Sequence, residues 1–549
     1  MTTGTTRTST VRTGSSRSVH ACALDCISEE ATTISIDNTS AQKFSHWKVY
    51  WKSPIGLAWM GLILSLGATL IGLQMLLTST KNVRNDNDDS SRHGMDLEAK
   101  RDYWLSTYQH LQSQNVTTTT MLIPGSPQWN ALQWLVTSDP LAPLSRDRLL
   151  QRYALACLYF HWDGWLFSTA AAGWLDLVTQ AAVSPDGMVT VVAPSAELSG
   201  APATTKARVP LHECQWLGVT CNDQKQVVGL DFKSASFVIS GMVPMELGLL
   251  SHLTVLDCAG KSLVGTFPVT LPQLKYLDLK GNRLNVFQEE WGAWTNLETV
   301  NLAENRFEGT IPGSTLAQWS NLRHFDIHSM PVAGNFWQDV VPYWPLIEYV
   351  DISLTELSGS IPEVTADGPL SRLMSLYASN TPMTGTLPAS LTIATGLISL
   401  QLNDITGLTP SPLSAEIGKW TKLETLGLTS PTALAGTLPT EIGLMTSLRE
   451  LNVYSNRGLN GTLPTELGHL KELQILKVCY TDLSGTVPDE IGTLKKLNDV
   501  QLHQTNLVGT VPLGLCSGLL NVLAADCGTL NEGIAPQMEC PLGCCDCYA

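Results

Sequence analysis

One spacing governs what this chain can fold into. From about residue 227 to 527 the pattern Leu-x-x-Leu-x-Leu returns, as in Leu274-x-x-Leu277-x-Leu279, Leu297-x-x-Val300-x-Leu302 and Leu473-x-x-Leu476-x-Val478. The second apolar position falls at Leu230, Leu256, Leu277, Val300, Phe325, Val350, Leu376, Leu400, Leu426, Leu451, Leu476, Val500 and Leu523. Steps of 21 to 26 residues separate these positions. Period-two apolar residues make a short strand with one apolar face. One such strand cannot bury that face alone. Stacked parallel copies build a continuous core in which each repeat touches its neighbours, a solenoid. Each buried Leu or Val contributes roughly 1.5–3 kcal/mol, so the array gains its stability from many copies.

The second half of each repeat is as regular. Gly309-Thr-Ile-Pro312, Gly359-Ser-Ile-Pro362, Gly385-Thr-Leu-Pro388, Gly436-Thr-Leu-Pro439, Gly461-Thr-Leu-Pro464, Gly485-Thr-Val-Pro488 and Gly509-Thr-Val-Pro512 keep one offset from the strands, and a Glu-Leu/Ile-Gly turn often follows. Glycine permits a sharp turn and proline an extended entry. These motifs resemble the plant-type leucine-rich repeat family over more than half of the chain. The resemblance implies an α/β solenoid with a parallel concave sheet. Residues 285–295 and 331–345 lack the Gly-x-x-Pro element and are rich in Trp and Phe, so an irregular convex side is expected there.

Cys214-x-Trp216-x-Gly218-Val219-x-Cys221, just before the first repeat, matches the family's N-terminal capping motif. The resemblance implies that Cys214 and Cys221 pair and that Trp216 fills the cap. A Trp-rich stretch precedes it. Trp129, Leu132 and Val136 share one helical face, and a second helix from about Ser145 to Phe160 carries Leu149, Tyr153, Ala156, Cys157 and Phe160 along one side. Residues 183–210 read as a loop. With an apolar run at the N-terminus, this arrangement is similar to the membrane-anchored leucine-rich repeat proteins of diatoms and related algae. Cys516, Cys527, Cys540, Cys544, Cys545 and Cys547 cluster after the last repeat and are expected to form a disulfide-stapled C-terminal cap; zinc is the rival occupant of Cys540-x3-Cys544-Cys545-x-Cys547. Cys157 and Cys258 read as buried free thiols. Cys479 follows an inward valine, at a position where a thiol is either exposed and reactive or buried under a neighbour.

The domain plan follows: a cytosolic tail (1–53), a transmembrane helix (54–77), a polar stalk (78–125), a helical N-terminal cap (126–226), the repeats (227–515) and the Cys-rich cap (516–549). The tail is rich in Ser and Thr and reads as disordered. Ile55 to Leu77 is 23 residues without a charge, enough to cross a bilayer. Basic residues nearly tie on its two sides, so orientation rests on the cysteines. Stapled caps imply an oxidising compartment for everything after Leu77, and a cytosolic N-terminus. Asn115-Val116-Thr117 and Asn460-Gly461-Thr462 are glycosylation acceptors. Gly61, Ser65, Ala68 and Gly72 line one face of the apolar helix, the spacing of a homodimer seam.

A net charge of −16 argues against nucleic acid. No phosphate loop, kinase signature or nucleophile elbow is present, so neither an enzyme nor a cofactor is expected. The outward strand positions instead name a binding face: Asp231, Asp257, Asp278, Asn301, Asp326, Asp351, Tyr377, Gln401, Gly427, Asn452, Lys477 and Gln501, with Tyr276, His324, His328, Tyr349, Tyr454, Tyr480 and His503 beside them. Two readings of the acidic stripe stand: solvated scaffold, or a groove for an extracellular protein, peptide or glycan. The resemblance implies a receptor-like protein without a kinase, signalling through a cytosolic kinase or adaptor. The alternative is a structural or adhesive surface protein, or an inhibitor of wall-degrading enzymes.

Overall fold

The computed structural model describes residues 97–114, 121, 123–137, 139, 141, 144–162, 181–183, 189–191, 212–233, 239–267, 271–430, 433–516, 520–527, 538–541 and 544–547. The apolar run at 55–77, its small-residue face and Asn115 lie outside them. Among the described residues no helix is long and apolar enough to cross a membrane.

Fifteen strands form one sheet. Val219–Cys221 pairs antiparallel with Val227–Asp231, and every later strand is parallel to its neighbours. The register joins the repeat positions directly: Leu230 faces Leu256, Leu256 faces Leu277, and the pairing continues through Val300, Phe325, Val350, Leu376, Leu400, Leu426, Leu451, Leu476, Val500 and Leu523. All of these side chains are buried. The leucine-rich repeat solenoid is therefore laid out in the register that the spacing specifies.

Short parallel strands run along the other side of the solenoid, among them Ala435–Thr437, Gly458–Thr462 and Asp482–Gly485. The glycine that opens each Gly-x-x-Pro motif has a positive φ there, as at Gly485 (79°). A Cβ on Gly485 would also sit 2.9 Å from the Thr462 methyl of the preceding repeat, so the turn requires glycine on both counts. The proline then precedes a one-turn 3-10 helix, as Pro464 does before Thr465–His469. Where the motif is missing, aromatic side chains fill the space. Trp291, Trp294, Trp319, Trp337 and Trp344 are fully buried. Trp319 and Trp344 donate their indole N–H to the Trp291 and Leu316 carbonyls.

Ten strands of the fifteen-stranded sheet end in a turn whose second residue has positive φ: Gly260, Gly281, Glu304, Ser329, Leu354, Asn380, Asp404, Ser455, Tyr480 and Gln504. The next residue ties repeats together. Asn282 donates to the Leu279 and Cys258 carbonyls and accepts from the Leu263 amide. Asn305 and Asn456 do the same in their repeats. Thr355, Thr381, Thr481 and Thr505 donate within their own repeat instead, to the carbonyl three residues back.

Among the described residues three helices precede the repeats: α1 (Leu97–Ser113), α2 (Pro127–Thr137) and α3 (Arg146–His161). α1 falls within the stretch expected to be a polar stalk. Its Trp104, Tyr108 and Leu111 are buried although its other side is polar. Trp129, Leu132 and Val136 of α2 are buried, as their spacing predicts. α3 is buried almost all round, Arg152 included, while Phe160 is only half-buried. Ala181–Val183 and Val189–Val191 pair antiparallel, so the expected loop includes a hairpin strand. Trp162 at the end of α3 donates to the Met242 carbonyl of the first repeat.

Arg152 organises this end. Its guanidinium makes two bonds to Asp139 (2.7 and 2.8 Å) and one to Glu213 (2.9 Å), and lies about 5 Å from the Trp134 and Trp216 rings. Glu213 also accepts from Arg148 and Gln151. Burial by itself would raise the Glu213 carboxyl, but the Arg148 hydrogen bonds and Arg152 overcome it and hold the group at about 2. Cys214 and Cys221 are disulfide-bonded as expected. Gly218, between them, has a φ of 79°, and a Cβ there would meet the Asp231 carbonyl at 2.4 Å. That carries the glycine of the Cys-x-Trp-x-Gly motif.

At the other end Cys516 pairs with Cys544 and Cys540 with Cys545. Cys527 is disulfide-bonded too. The Cys547 side chain lies outside the described residues, although Asp546–Cys547 is the last strand of the sheet. Cys157, Cys258 and Cys479 are free and buried. For Cys479 the structure thus decides against an exposed thiol: Sγ lies against Gln501, and burial raises the thiol to about 11. Asn460 is exposed in Gly458–Thr462, where a glycan would meet no neighbour in the core.

Candidate functional site on the concave sheet

Because the strands are parallel and in register, the outward residue between the two inward positions forms an unbroken row. Asp231, Asp257, Asp278, Asn301, Asp326, Asp351, Tyr377, Gln401, Gly427, Asn452, Lys477 and Gln501 pair in that order, about 4.8 Å apart.

The acidic part of this row is not a freely solvated stripe. Each Asp or Asn turns one oxygen back to accept the amide two residues on: Lys233 for Asp231, Ala259 for Asp257, Lys280 for Asp278, Ala303 for Asn301, His328 for Asp326, Ser353 for Asp351 and Tyr454 for Asn452. This local bond closes the turn and explains why Asp and Asn recur here. Asp257, Asp278 and Asp326 are buried by their neighbours, and Asp351 is half-buried. Burial raises the Asp257 carboxyl, with Asp278 and Asp231 adding like-charge repulsion against a backbone bond and Lys233 that lower it. Burial likewise raises Asp351, with Asp326 adding to it.

Aromatic side chains on the adjacent outward positions gather in two groups. His324 stacks on Tyr349 with ring centroids 4.0 Å apart and planes within 8°, and Tyr377 lies 5.6 Å beyond. Burial lowers the His324 ring below its usual range in spite of Asp326, Asp278 and Asp351, so it is neutral at pH 7. Tyr276 stands on the same row two strands earlier, its phenol pushed up to about 12 mainly by burial. The second group is Tyr454, Tyr480 and His503, edge to face at 5.4 Å, with Arg457 over the Tyr480 ring at 5.7 Å and Lys477 paired to Asp499 nearby. His503 is buried rather than open on the face, and burial lowers its ring too. Gln401 and Asn452 lie between the groups.

The structure therefore gathers expected site residues into an acidic aromatic region on the strands from Tyr276 to Tyr377 and a second aromatic one around Tyr480, where Lys477 and Arg457 pair with Asp499 and Asp482. Glu304, which the strand pattern alone does not mark, belongs to the first. It sits at the positive-φ turn position, 3.1 Å from Lys280 and 3.3 Å from His328 Nε2. The signal for it was the residue two places beyond the inward leucine, a position that returns in every repeat.

No family profile matches the chain, and no curated protein does. Solved structures do. A TDR receptor is 26% identical, with a TM-score of 0.47, over 52% of this chain and 49% of that one. The Arabidopsis receptor kinase HAESA ectodomain with an IDA peptide hormone is 23% identical, with a TM-score of 0.38, over 57% and 68%. A plant ice-binding protein is 18% identical, with a TM-score of 0.35, over 60% and 89%. The chain spans about half the length of the first of these.

Proposed function

We propose that this chain is a recognition protein whose concave face binds an extracellular peptide or glycan through a cationic group of that ligand. One observation carries this reading: a neutral His324 stacked on Tyr349, with Tyr377 tilted against the far side of Tyr349 and Asp278, Asp326 and Asp351 beside the histidine. Aromatic rings and carboxylates together favour an ammonium or guanidinium, because the ring quadrupole and the carboxylate charge attract the same ion. Nothing in this arrangement pairs a nucleophile with a base, and no catalytic step is assigned to it. In this reading the 23 uncharged residues from Ile55 to Leu77 anchor the chain in a membrane. The disulfides at both ends of the repeats support an oxidising, extracellular setting for them. Signalling in this reading passes through a cytosolic kinase or adaptor, and helices α1 to α3 cover the apolar end of the first repeat.

The test is a peptide and oligosaccharide array probed with the full-length protein in detergent. Ligands carrying lysine, arginine or amino sugars should dominate, and Tyr349→Ala should weaken them at least ten-fold. Hits indifferent to Tyr349→Ala would move the site elsewhere. Separately, protease applied to intact cells should remove the repeats and spare the tail; a protected repeat array would reverse the orientation.

A further inference from the structure

We infer that the concave face holds a site for a borderline divalent cation, of which Zn²⁺ is the natural probe, formed by His328, Asp326 and Asp351. One imidazole nitrogen and one oxygen from each carboxylate lie within 4.8 Å of one another. His328 Nδ1 is 2.6 Å from Asp326 Oδ1 and 3.6 Å from Asp351 Oδ2. His328 Nε2 is 3.3 Å from Glu304 Oε1, which Lys280 also reaches at 3.1 Å. The backbone bonds from His328 to Asp326 and from Ser353 to Asp351 fix both carboxylates. The side chains are 19%, 8% and 16% exposed for His328, Asp326 and Asp351, so the ligand atoms are held by packing and still reachable from the groove.

The hydrogen-bond count is what points to a cation. Both nitrogens of the His328 ring face carboxylate oxygens. A neutral imidazole has one N–H and can satisfy only one of them. The other nitrogen then presents its lone pair to a carboxylate, two acceptors face to face. A metal ion on Nδ1 in place of its proton leaves the Nε2–H to donate to Glu304, and both carboxylates are then met. A divalent ion answers more of the arrangement than a proton, because it neutralises Asp326 and Asp351 at once, and these two approach each other across adjacent strands.

One imidazole nitrogen with two carboxylates is a donor set for zinc-like ions rather than for magnesium or calcium, which prefer oxygen alone. Bonds of about 2.0–2.2 Å in a tetrahedral site place ligand atoms about 3.4 Å apart. The 3.6 Å separation of Nδ1 and Asp351 already suits this. The 2.6 Å separation of Nδ1 and Asp326 must open by less than 1 Å as the bridging proton leaves. Three protein ligands leave a fourth position, on the side of the sheet that faces the groove. Lys280, on the same edge, pairs with Glu304 next to Nε2 and so holds the carboxylate that orients the ring.

The metal site shares Asp326 and Asp351 with the face proposed for a ligand's cationic group, so the test is made with no organic ligand present. It is tested on the full-length protein, stripped with a chelator under non-reducing conditions and titrated with Zn²⁺ alone by calorimetry, then with Co²⁺ by visible absorption. One equivalent should bind saturably at micromolar concentration, and Co²⁺ should give a d–d spectrum. His328→Gln and Asp351→Asn should each weaken binding at least ten-fold while the metal-free proteins melt with the parent. If His328→Gln fails to fold, Asp351→Asn decides alone, since Asn fills the equivalent place at Asn301 and Asn452. No saturable binding, or binding unchanged in Asp351→Asn, would overturn the site.

Discussion

Two regions of this molecule bury carboxylates, and they treat them in opposite ways. Before the first repeat, Glu213 and Asp139 are fully covered, and each is matched to arginine with short, directional bonds. On the concave face, Asp257, Asp278, Asp326 and Asp351 are covered by one another's repeats, and acids outnumber bases. Lys233, itself largely exposed, reaches Asp278 at only 3.6 Å. The consequence shows in the titration. Glu213 is held at about 2, whereas Asp257 and Asp351 are raised. Ionised acids at the first site hold the fold together; ionised acids at the second oppose it. A protein can carry such a face when the unfavourable charge is what attracts a cationic partner.

Breaking the first region should have the largest effect. Arg152→Met leaves Asp139 without its guanidinium and Glu213 with only one of its two arginines, Arg148, beside Gln151. Removing one partner of a buried pair costs about 3–5 kcal/mol. Hydrogen exchange should show protection lost first around Leu230, because coupling along a solenoid passes between neighbours. Uniform loss as far as Leu476 would mean that the helices and repeats do not couple as the contacts indicate.

Acid should have the next effect, with a defined sign. The folded Glu213 carboxyl lies below its ordinary value near 4.5. The stability it contributes is therefore present above about pH 4.5 and is lost as pH falls toward 2, about 3 kcal/mol in all. The N-terminal repeats should open first between pH 4 and 2.5. Glu213→Gln should remove most of that pH dependence; an unchanged acid profile in the variant would assign it to other groups.

How much of this was legible beforehand depends on how local the determinant is. Inward strand residues were readable because period two and a step of 21 to 26 residues fix register without any distant partner. The missing punctuation at 285–295 and 331–345 was readable, but the irregular convex side expected from it is not found at 331–345. There Val332–Asn335 pairs in parallel with Gly309–Thr310 and Glu356–Ser358, because buried aromatic side chains replace the motif beneath the ladder. α1 was not, because its buried Trp104, Tyr108 and Leu111 are diluted by a charged, polar exterior. Nor was Arg152: an arginine between Leu149 and Tyr153 reads as the wet side of a helix until Asp139 and Glu213, 13 and 61 residues away, are brought to it. The concave row was legible as positions. Its electrostatics were not, since burial of Asp257 depends on the neighbouring repeats.

The disulfide comes third. Cys214→Ser opens a link with a sequence separation of 7, and a loop that short contributes about 2–3 kcal/mol through the unfolded chain. Arg152 remains in place, so the loss should be smaller than in Arg152→Met. Equal destabilisation, measured by denaturant unfolding, would mean that the charge network cannot form without the covalent link.

The smallest expected change is on the concave face, and its sign is reversed. Asp257 is raised above its ordinary range, first by burial and then by Asp278 and Asp231. A carboxyl raised in the folded state destabilises the fold once ionised, and the penalty is relieved as pH falls through its folded value. Asparagine keeps the oxygen that accepts the Ala259 amide, as Asn301 does for Ala303, and removes the charge. Asp257→Asn should therefore be neutral or stabilise the protein by up to about 1 kcal/mol at pH 7, with no difference from the parent at pH 3. Thermal unfolding at the two pH values measures this. A loss of stability at pH 7 would show that Lys233 and Lys261 already compensate the charge, and that the row is a balanced scaffold rather than a surface poised for a cation.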